Sequence, residues 1–272
     1  MLSIIITHHQ TPVLLKLCLK SIRDTIGNIE YEIIVADSEA KQEYQDLIKE
    51  KFSGIKFISF IKNVGYAKAV NAGIKASLGE YILILNADII VHKESILKML
   101  EFIKSNLQVG IVGPQLLTFA NTVQNSCFNF PSIKSILARR TFLGKLNWGK
   151  KQLDRFLVNN KDTSFKSVDW LQGSAMMVQK KAIEKVGLFD ERFVLYLEDA
   201  DWCRRFWQNG YQVVYLPIAQ VFHYYGRASK KWGGLLDIIS NKYTRMHLIS
   251  AVKYFWKWRK NQKHQKSAFS TL

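Results

Sequence analysis

Four apolar runs, each followed by a segment with helical spacing, constrain the fold of this chain more than any other feature. The runs cover residues 3–7, 31–36, 55–61 and 81–85, and the helical patterns cover residues 12–22, 44–51, 67–77 and 93–104. Alternation of buried strands with helices favours a mainly parallel sheet with helices on both faces. The sequence therefore predicts an α/β fold.

Polar residues stand at the carboxyl ends of the predicted strands. They are His8 and His9, Asp37, Asn63 and Gly65, and Asn86 and Asp88. Ligands of parallel sheets bind outside these ends, so the side chains are expected to converge on one edge of the sheet. Loops are polar in general, and for any single position an ordinary loop residue is an equal alternative.

A cluster of three carboxylates, Glu198, Asp199 and Asp201, lies among bulky apolar residues. Carboxylates repel one another and are costly to bury, so the cluster needs a metal, a cationic partner or a substrate proton. A further carboxylate, Asp88, ends the apolar run at 81–87. Two acidic sites suggest metal-assisted chemistry with a separate general base. The alternative for the cluster is a salt-bridge network with the arginines at 204 and 205.

Glycine-rich phosphate loops are absent from the first strand–helix junction. Neither G-x-G-x-x-G nor G-x-x-x-x-G-K-[ST] follows the first predicted strand. Phosphates would therefore be held by another device, of which a divalent metal is the obvious candidate. The same absence argues against a nucleotidyltransferase that uses a glycine-rich, lysine-containing first loop.

The alternation of strand-like and helix-like segments is lost in the middle of the chain and returns after it. Residues 114–168 are weakly periodic and are predicted to form an irregular insertion beside the site. Its basic residues indicate either a solvated face or a surface for a phosphorylated acceptor. Beyond it, the sequence predicts helices at 180–186 and 199–209 and strands at 211–216 and 221–223, with Pro217 ending the former strand.

The basic character of the chain is concentrated at its end. The formal net charge is +17, and residues 227–272 contain eleven Lys and Arg and one acid. Aromatic residues alternate with these cations on a predicted helix, which suits a membrane surface. Single-stranded nucleic acid and docking of the helix onto the rest of the protein are the alternatives.

The spacing of the cysteines and the composition of the N-terminus indicate in which cellular compartment the protein is expected. Cys18, Cys127 and Cys203 have neither metal-binding nor disulfide spacing, which fits a reducing environment. The N-terminus reads as a strand and not as a signal peptide. No continuous apolar stretch is long enough to span a bilayer.

Nine motifs in order resemble those of one family. They are Ser3-Ile4-Ile5-Ile6-Thr7, Val35-Ala36-Asp37-Ser38, Asn63-Val64-Gly65-Tyr66-Ala67, Asn71-Ala72-Gly73-Ile74, Leu85-Asn86-Ala87-Asp88, Gly173-Ser174-Ala175, Gly187-Leu188-Phe189-Asp190-Glu191-Arg192-Phe193, Glu198-Asp199-Ala200-Asp201, and Pro217 through His223. The chain resembles the family-2 inverting glycosyltransferases of the GT-A type, and within them the bacterial rhamnosyltransferase-like branch that builds surface polysaccharides.

This resemblance implies a GT-A domain at residues 1–226, followed by a basic, aromatic helical tail at 227–272. It implies inverting transfer of a sugar from a nucleotide-diphosphate sugar to a hydroxyl of a growing, lipid-linked surface glycan. Rhamnose is the sugar that the branch suggests, although glucose, galactose or an amino sugar fits the same motifs. The expected location is the cytoplasm, at the inner face of the membrane through the tail, with no nucleic-acid partner. The alternative is a basic nucleic-acid- or membrane-binding protein without catalysis.

The resemblance also implies a role for individual residues. Asp199 would be the general base, and Glu198 and Asp201 would orient it or shape the acceptor pocket. Asp88 and His223 would hold Mg²⁺ or Mn²⁺, although a purely structural histidine is the alternative for His223. The residues expected to bind the nucleotide sugar are Thr7, Asp37, Asn63, Gly65, Asn86, Gly173 and Ser174.

The chain departs from the family pattern at three positions that bear on donor recognition. The first strand ends in Thr7-His8-His9 instead of Thr-Tyr-Asn. Ser38 occupies a position where asparagine is common, and Asn86 replaces the first acid of the metal motif. Metal binding would therefore depend on Asp88, His223 and water.

Overall fold

The computed structural model of the chain describes residues 1–159, 163–224 and 241–259. The strands are β1 (Leu2–His9), β2 (Tyr31–Ser38), β3 (Ile55–Phe60), β4 (Tyr81–Asn86), β5 (Ile89–Val91), β6 (Val109–Leu117), β7 (Cys127–Phe128), β8 (Lys166–Ser167), β9 (Trp170–Leu171), β10 (Ala175–Gln179) and β11 (Gln212–His223). The helices are α1 (Pro12–Thr25), α2 (Gln42–Lys51), α3 (Tyr66–Ala76), α4 (Ser95–Ser105), α5 (Ile133–Arg140), α6 (Asn147–Phe156), α7 (Lys180–Val186), α8 (Glu198–Gln208) and α9 (Lys242–Trp258), with a 3-10 turn at Phe142–Lys145.

One mixed sheet forms the centre of the described structure. Its strand order is β3-β2-β1-β4-β10-β6-β11-β5, and β8 also pairs with β11. β3, β2, β1 and β4 pair in parallel, and β6 pairs in parallel with β11. β10 runs antiparallel between β4 and β6, and β5 and β8 are antiparallel to β11. The predicted α/β fold with a mainly parallel central sheet is confirmed.

Helices cover both faces of this sheet, as predicted. One apolar core lies between the sheet and α1 and α4, which contribute side chains such as Leu19 and Met99. The other lies beneath α3, α7, α8 and α9, with Val70, Ile183 and Trp202 among its members. The central strands therefore have both faces buried, which explains their nearly continuous apolar runs.

Element boundaries in the first 105 residues agree with the sequence predictions to within three residues. The short strand β5 was not predicted. It follows β4 after a turn at Ala87 and Asp88 and pairs with the end of β11. A three-residue strand has too few residues to show a periodic pattern, so only its partner reveals it.

Two predictions for the second half of the chain are corrected. Among its described residues the segment 114–168 is more regular than predicted, because it contains the end of β6, the short strands β7 and β8, and helices α5 and α6. Pro217 does not end a strand either. β11 continues through it to His223, with a register shift between Leu216 and Gln220 that accommodates the proline.

Helix α9 belongs to the predicted basic tail, and one of its faces packs on the rest of the protein. Ala251, Tyr254 and Trp258 are buried in the same core as α8. The opposite face exposes Val252 and Trp256. Residues 227–240 and 260–272 of the predicted tail lie outside the described residues. Within the described part, no helix has both the length and the apolarity needed to cross a bilayer.

Candidate active site

A cavity of about 360 Å³ opens where β4 and β11 end and β10 begins. Its volume is within the range of small-molecule sites. Seven of the residues predicted from the sequence line it: Asn86, Asp88, Gly173, Ser174, Glu198, Asp199 and His223. The fold thus brings together both acidic sites that the sequence predicted, although they are separated by more than a hundred residues.

Asp199 lies in the first turn of α8, where helix N–H groups favour an anionic side chain. Its Oδ2 accepts a hydrogen bond from the backbone N–H of Gly173 over 3.0 Å, and its Oδ1 accepts one from Ala200 over 2.8 Å. Burial raises the pKa of Asp199 to about 6, an effect that these N–H donors partly oppose. The carboxylate is therefore ionised at neutral pH and has a pKa suited to a general base.

Glu198 is the neighbouring carboxyl group of the pocket, and it too has a raised pKa. Burial and the charge of Asp199 raise its pKa well above the ordinary value. Within the described residues its Oε2 has no hydrogen-bond partner, and neither has the Oγ of Ser174. The charge of Asp199 favours the protonated form of Glu198, and neighbouring carboxyl groups that influence each other in this way often take separate acid and base roles.

Asp88 and His223 meet because β5 pairs with the end of β11, where Ile89 stands opposite His223. The Oδ2 atom of Asp88 lies 3.6 Å from the Nε2 atom of His223, which is too long for a hydrogen bond. Burial raises the pKa of Asp88 and lowers that of His223. The imidazole is therefore neutral at ordinary pH.

Gln124 determines which nitrogen of His223 faces Asp88. The amide of Gln124 donates to the backbone carbonyl of His223 over 3.0 Å, so its Oε1, 3.0 Å from Nδ1, is an acceptor. Nδ1 of His223 then carries the proton, and Nε2 presents a lone pair towards Asp88. Such an outer hydrogen bond is typical of metal-binding histidines.

The residues present fit a divalent cation whose remaining coordination positions are filled by substrate oxygens. Oδ1 of Asp88 is buried and has no partner within the described part of the chain. The Nε2 atom of His223 lies 3.6 Å from the other carboxylate oxygen of Asp88, so an imidazole nitrogen and a carboxylate face each other at this site. No group of three or more His, Cys, Asp or Glu residues suited to a metal occurs among the described residues. Mg²⁺ commonly binds to one or two carboxylates together with substrate phosphates and waters.

Thr7 and Asp37 lie at the same sheet edge as the pocket but do not line it. The Thr7 hydroxyl donates to Oδ1 of Asn86 over 2.9 Å and so orients a residue that does line it. Asp37 is 3% exposed, and its carboxylate contacts His8 Nδ1 at 2.7 Å and Gln45 Nε2 at 2.9 Å. Its direct contact with a nucleotide stays a prediction.

Asn63 and Gly65 form the turn before α3. Oδ1 of Asn63 accepts a hydrogen bond from the N–H of Gly65 over 2.9 Å. Gly65 has a φ of +81°, and a Cβ at this position would lie 2.6 Å from the carbonyl oxygen of Val194. This turn therefore packs against the loop before α8 and does not line the pocket, and its contact with the nucleotide sugar stays a prediction.

Asp201 is the one member of the carboxylate cluster that lies away from the pocket. It is fully buried, and its Oδ2 accepts from Arg205 over 3.0 Å. Its Oδ1 contacts Lys257 Nζ at 2.7 Å and Trp258 Nε1 at 3.0 Å, both on α9. The geometry makes Asp201 an anchor for α9, and its predicted role at the acceptor or at the base is not supported by its position.

Several pocket residues were missed by the sequence analysis. They come from many different elements of the fold, including α3, α5, α6, α9 and the loop before α8: Tyr66, Phe128, Pro131, Ile136, Arg139, Phe156, Trp170, Gln172, Leu195, Tyr196, Leu197, Tyr224 and His247. Gln172 directly precedes the Gly173-Ser174 motif and could have been inferred from it. His247 and Arg139 come from segments without a local motif, so only the tertiary fold reveals them.

Similarity to known proteins agrees with this geometry. Residues 3–186 match the family described as glycosyl transferase family 2. The N-acetylglucosaminyl-diphospho-decaprenol L-rhamnosyltransferase of Mycobacterium tuberculosis is 26% identical over 204 residues, which cover 71% of this chain and 66% of that protein, just under two thirds. Rhamnosyltransferase WbbL of Escherichia coli is 26% identical over 231 residues, covering 82% of this chain and 81% of that one.

Solved structures support the fold assignment. A crystal structure of GalNAc-T7 with UDP, GalNAc and Mn²⁺ superposes with a TM-score of 0.63 at 18% identity, and covers 82% of this chain and 44% of that one. At this identity the likeness concerns the fold alone, which is the GT-A fold.

Proposed function

Because this chain belongs to glycosyl transferase family 2, we propose that it is an inverting glycosyltransferase that acts on a lipid-linked surface glycan. The donor is a nucleotide-diphosphate sugar, and the acceptor is a hydroxyl of the growing glycan. Rhamnose is the proposed sugar, since the mycobacterial and Escherichia coli relatives are both named as rhamnosyltransferases. The proposed location is the cytoplasmic face of the membrane, where lipid-linked acceptors are accessible.

The observation that carries this proposal is the pocket in which an ionised Asp199 and the Asp88–His223 pair share one cavity. Inverting transfer needs both functions in one place. The acceptor oxygen forms a bond to the anomeric carbon while the bond from that carbon to the diphosphate oxygen breaks. The acceptor proton goes to a base, and the bonding electrons leave with the diphosphate.

Asp199 is the proposed base. Its pKa of about 6 keeps it ionised at neutral pH and allows it to accept the acceptor proton. The N–H groups of Gly173 and Ala200 fix the orientation of the carboxylate. Glu198 is proposed to remain protonated beside it and to donate a hydrogen bond to bound sugar, because its Oε2 has no partner among the described residues.

Asp88 and His223 are the proposed ligands of Mg²⁺ or Mn²⁺. When bound, such a cation neutralises the charge that develops on the leaving diphosphate. Gln124 holds the Nε2 lone pair of His223 in place, and Thr7 holds Asn86 beside the site. We propose that Ser174 contacts the sugar, because this residue lines the pocket and its buried hydroxyl has no hydrogen-bond partner in the described part of the chain.

The experiment that tests the proposal measures the melting temperature of the purified protein against a panel of nucleotide sugars with Mn²⁺, Mg²⁺ or EDTA. A ligand that binds only the native state raises the melting temperature. A metal-dependent rise with one donor, followed by product formation from that donor, supports the transferase and names the sugar nucleotide. A rise only with nucleic acid or anionic lipid would instead favour a basic binding protein without catalysis.

A further inference from the structure

The hairpin formed by α5, the 3-10 turn and α6 exposes an unusual combination of side chains. Residues 133–156 contain seven Lys and Arg and a single acid, Asp154. Five large apolar side chains of this hairpin are between 43% and 71% exposed: Ile133, Leu137, Phe142, Leu146 and Trp148. These five residues are called the hairpin surface. Single exposed apolar residues are ordinary, but five within sixteen positions indicate an interaction site.

The hairpin is a tightly built unit, so this exposure does not reflect an extended loop. A Cβ on Gly144 would lie 2.2 Å from the carbonyl oxygen of Ala138, and one on Gly149 would lie 1.9 Å from that of Leu143. Ala138 is buried on the inner side of α5. The backbone therefore packs closely inside the hairpin, while the five apolar side chains point away from its core.

The hairpin also forms part of the rim of the active-site cavity. Pro131, Ile136 and Arg139 line the cavity. The guanidinium of Arg139 lies 5.6 Å from the ring centre of Phe128 and 5.0 Å from that of Phe156, which are further lining residues. Whatever covers the hairpin surface thus lies next to the entrance of the cavity.

We propose that the hairpin surface binds the surface of an anionic lipid bilayer. Tryptophan, phenylalanine and leucine together with lysine and arginine are the composition of segments that lie in the bilayer interface. Each cation near an anionic leaflet adds to the attraction. Lys134, Lys145, Lys150 and Lys151 are exposed on the same hairpin. A second copy of the chain is disfavoured as the occupant, because two such hairpins would bring like charges together.

A benefit of this bilayer contact for catalysis rests on the proposed function, which includes a lipid-linked acceptor. The bilayer contact itself is independent of that function. A bilayer beside the rim would present the head group of a lipid-linked substrate to the cavity. The surface differs from α9, whose outer face also carries exposed apolar residues such as Val252 and Trp256. The two surfaces can be separated by mutation.

The test is flotation of the full chain with vesicles of phosphatidylcholine, with and without phosphatidylglycerol. The variant Phe142→Ser/Leu146→Ser/Trp148→Ser is expected to reduce binding to the anionic vesicles by about tenfold or more. The matched control is Leu78→Ser/Leu107→Ser, which alters side chains that are 71% and 75% exposed elsewhere. This control is expected to bind like the wild type. Equal binding of the hairpin variant and the wild type would overturn the proposal.

Two further arms identify the source of the binding. Lys145→Gln/Lys150→Gln/Lys151→Gln is expected to weaken binding to anionic vesicles and to make the remaining binding less sensitive to salt. If Val252→Ser/Trp256→Ser abolishes binding while the hairpin variant keeps it, the membrane contact belongs to α9 and the proposal is wrong. Unchanged melting temperatures show that these exposed substitutions leave the fold intact.

Sugar transfer to a water-soluble acceptor separates this proposal from the proposed function. The hairpin variant is expected to keep wild-type turnover with that acceptor and to lose turnover with the same glycan on a lipid in vesicles. Loss of vesicle binding in a protein that transfers no sugar to either acceptor would support the bilayer contact and contradict the transferase. Sugar transfer by a hairpin variant that binds vesicles like the wild type would support the transferase and contradict the bilayer contact.

Discussion

The backbone N–H of Gly173 donates a hydrogen bond to Oδ2 of Asp199 over 3.0 Å and links the segment before β10 to the first turn of α8. Ala200 donates to the other oxygen of the same carboxylate. Both bonds fix the side chain at the wall of the cavity. The direction in which this base can accept a proton is thus set by two backbone segments that are distant in sequence.

Asp199→Asn is expected to lower the turnover number by about 10²–10⁴-fold, because the carboxamide cannot accept the acceptor proton. The variant can still accept one of the two N–H bonds, so donor binding should be retained. Steady-state kinetics and the donor-dependent melting shift measure the two effects. The control is Asp46→Asn, which removes an exposed carboxylate on α2. Wild-type turnover in Asp199→Asn would remove the proposed base.

The rate is expected to depend on pH through the ionisation of Asp199. A base is active when deprotonated, so kcat/KM should rise as pH increases through about 6 and should level off above it. Burial raises the pKa of Asp199. Activity is expected to be lost below about pH 6, because the carboxylate is then protonated and cannot accept a proton. A pH–rate profile checks this expectation. A rate that falls as pH rises from 5 to 7 would require another group as the base.

Asp88→Ala is expected to abolish the metal-dependent part of the donor-induced melting shift, because the site then loses its only proposed carboxylate ligand. Gln124→Leu is expected to weaken metal affinity by about 10- to 100-fold through loss of the bond that orients His223. Titration of Mn²⁺ at fixed donor measures both. The matched control is Gln179→Leu, another buried glutamine, which donates to the carbonyl of Val109. Equal metal affinity in the Gln124 and Gln179 variants would contradict the assignment.

Gly65→Ala is expected to destabilise the protein more than Gly54→Ala does. Both glycines have φ near +80°, which costs an alanine about 1 kcal/mol. The added Cβ at Gly65 also meets the carbonyl oxygen of Val194 at 2.6 Å, whereas nothing lies within 4 Å of one at Gly54. Urea unfolding midpoints compare the two. Equal midpoints would mean that the turn before α3 moves without cost.

Trp258→Ala is expected to reduce the free energy of unfolding by about 3–5 kcal/mol, because it opens a cavity and removes a donor from buried Asp201. Trp256→Ala, on the same helix but 62% exposed, should change it by less than about 0.5 kcal/mol. Equilibrium unfolding in urea measures both values. If the two variants unfold alike, α9 is not held by its buried face.

The carboxylate cluster shows how far the sequence could predict the site. The cluster was recognisable because acids in an apolar context need a partner, and Asp88 because it follows a buried strand, whereas only the family resemblance singled out Asp199 as the base. Asp201 belongs to the same cluster but has a different environment. Residues two positions apart on a helix point about 200° apart, so Asp201 faces away from the cavity when Asp199 faces it. The sequence thus predicted which acidic residues belong to the cluster, and the helical geometry of α8 determines which of them faces the cavity.

Other parts of the site depend on long-range pairing that no local pattern encodes. Gln124 lies in a segment without periodicity, yet it orients His223 through bonds that span 99 residues. His247 reaches the cavity only because α9 packs beside α8. By contrast, the central strands and their helices carry strong periodic signals. The sheet was therefore predictable, and the outer wall of the cavity was not.

The pairing of β5 with β11 has a consequence for the newly made protein. Asp88 is synthesised early, but its partner His223 stands at the end of β11. A nascent chain on the ribosome therefore has half of the proposed cation site until β11 has emerged and docked. Donor binding that requires both residues would begin only after the sheet is assembled, so translation intermediates would not sequester nucleotide sugars.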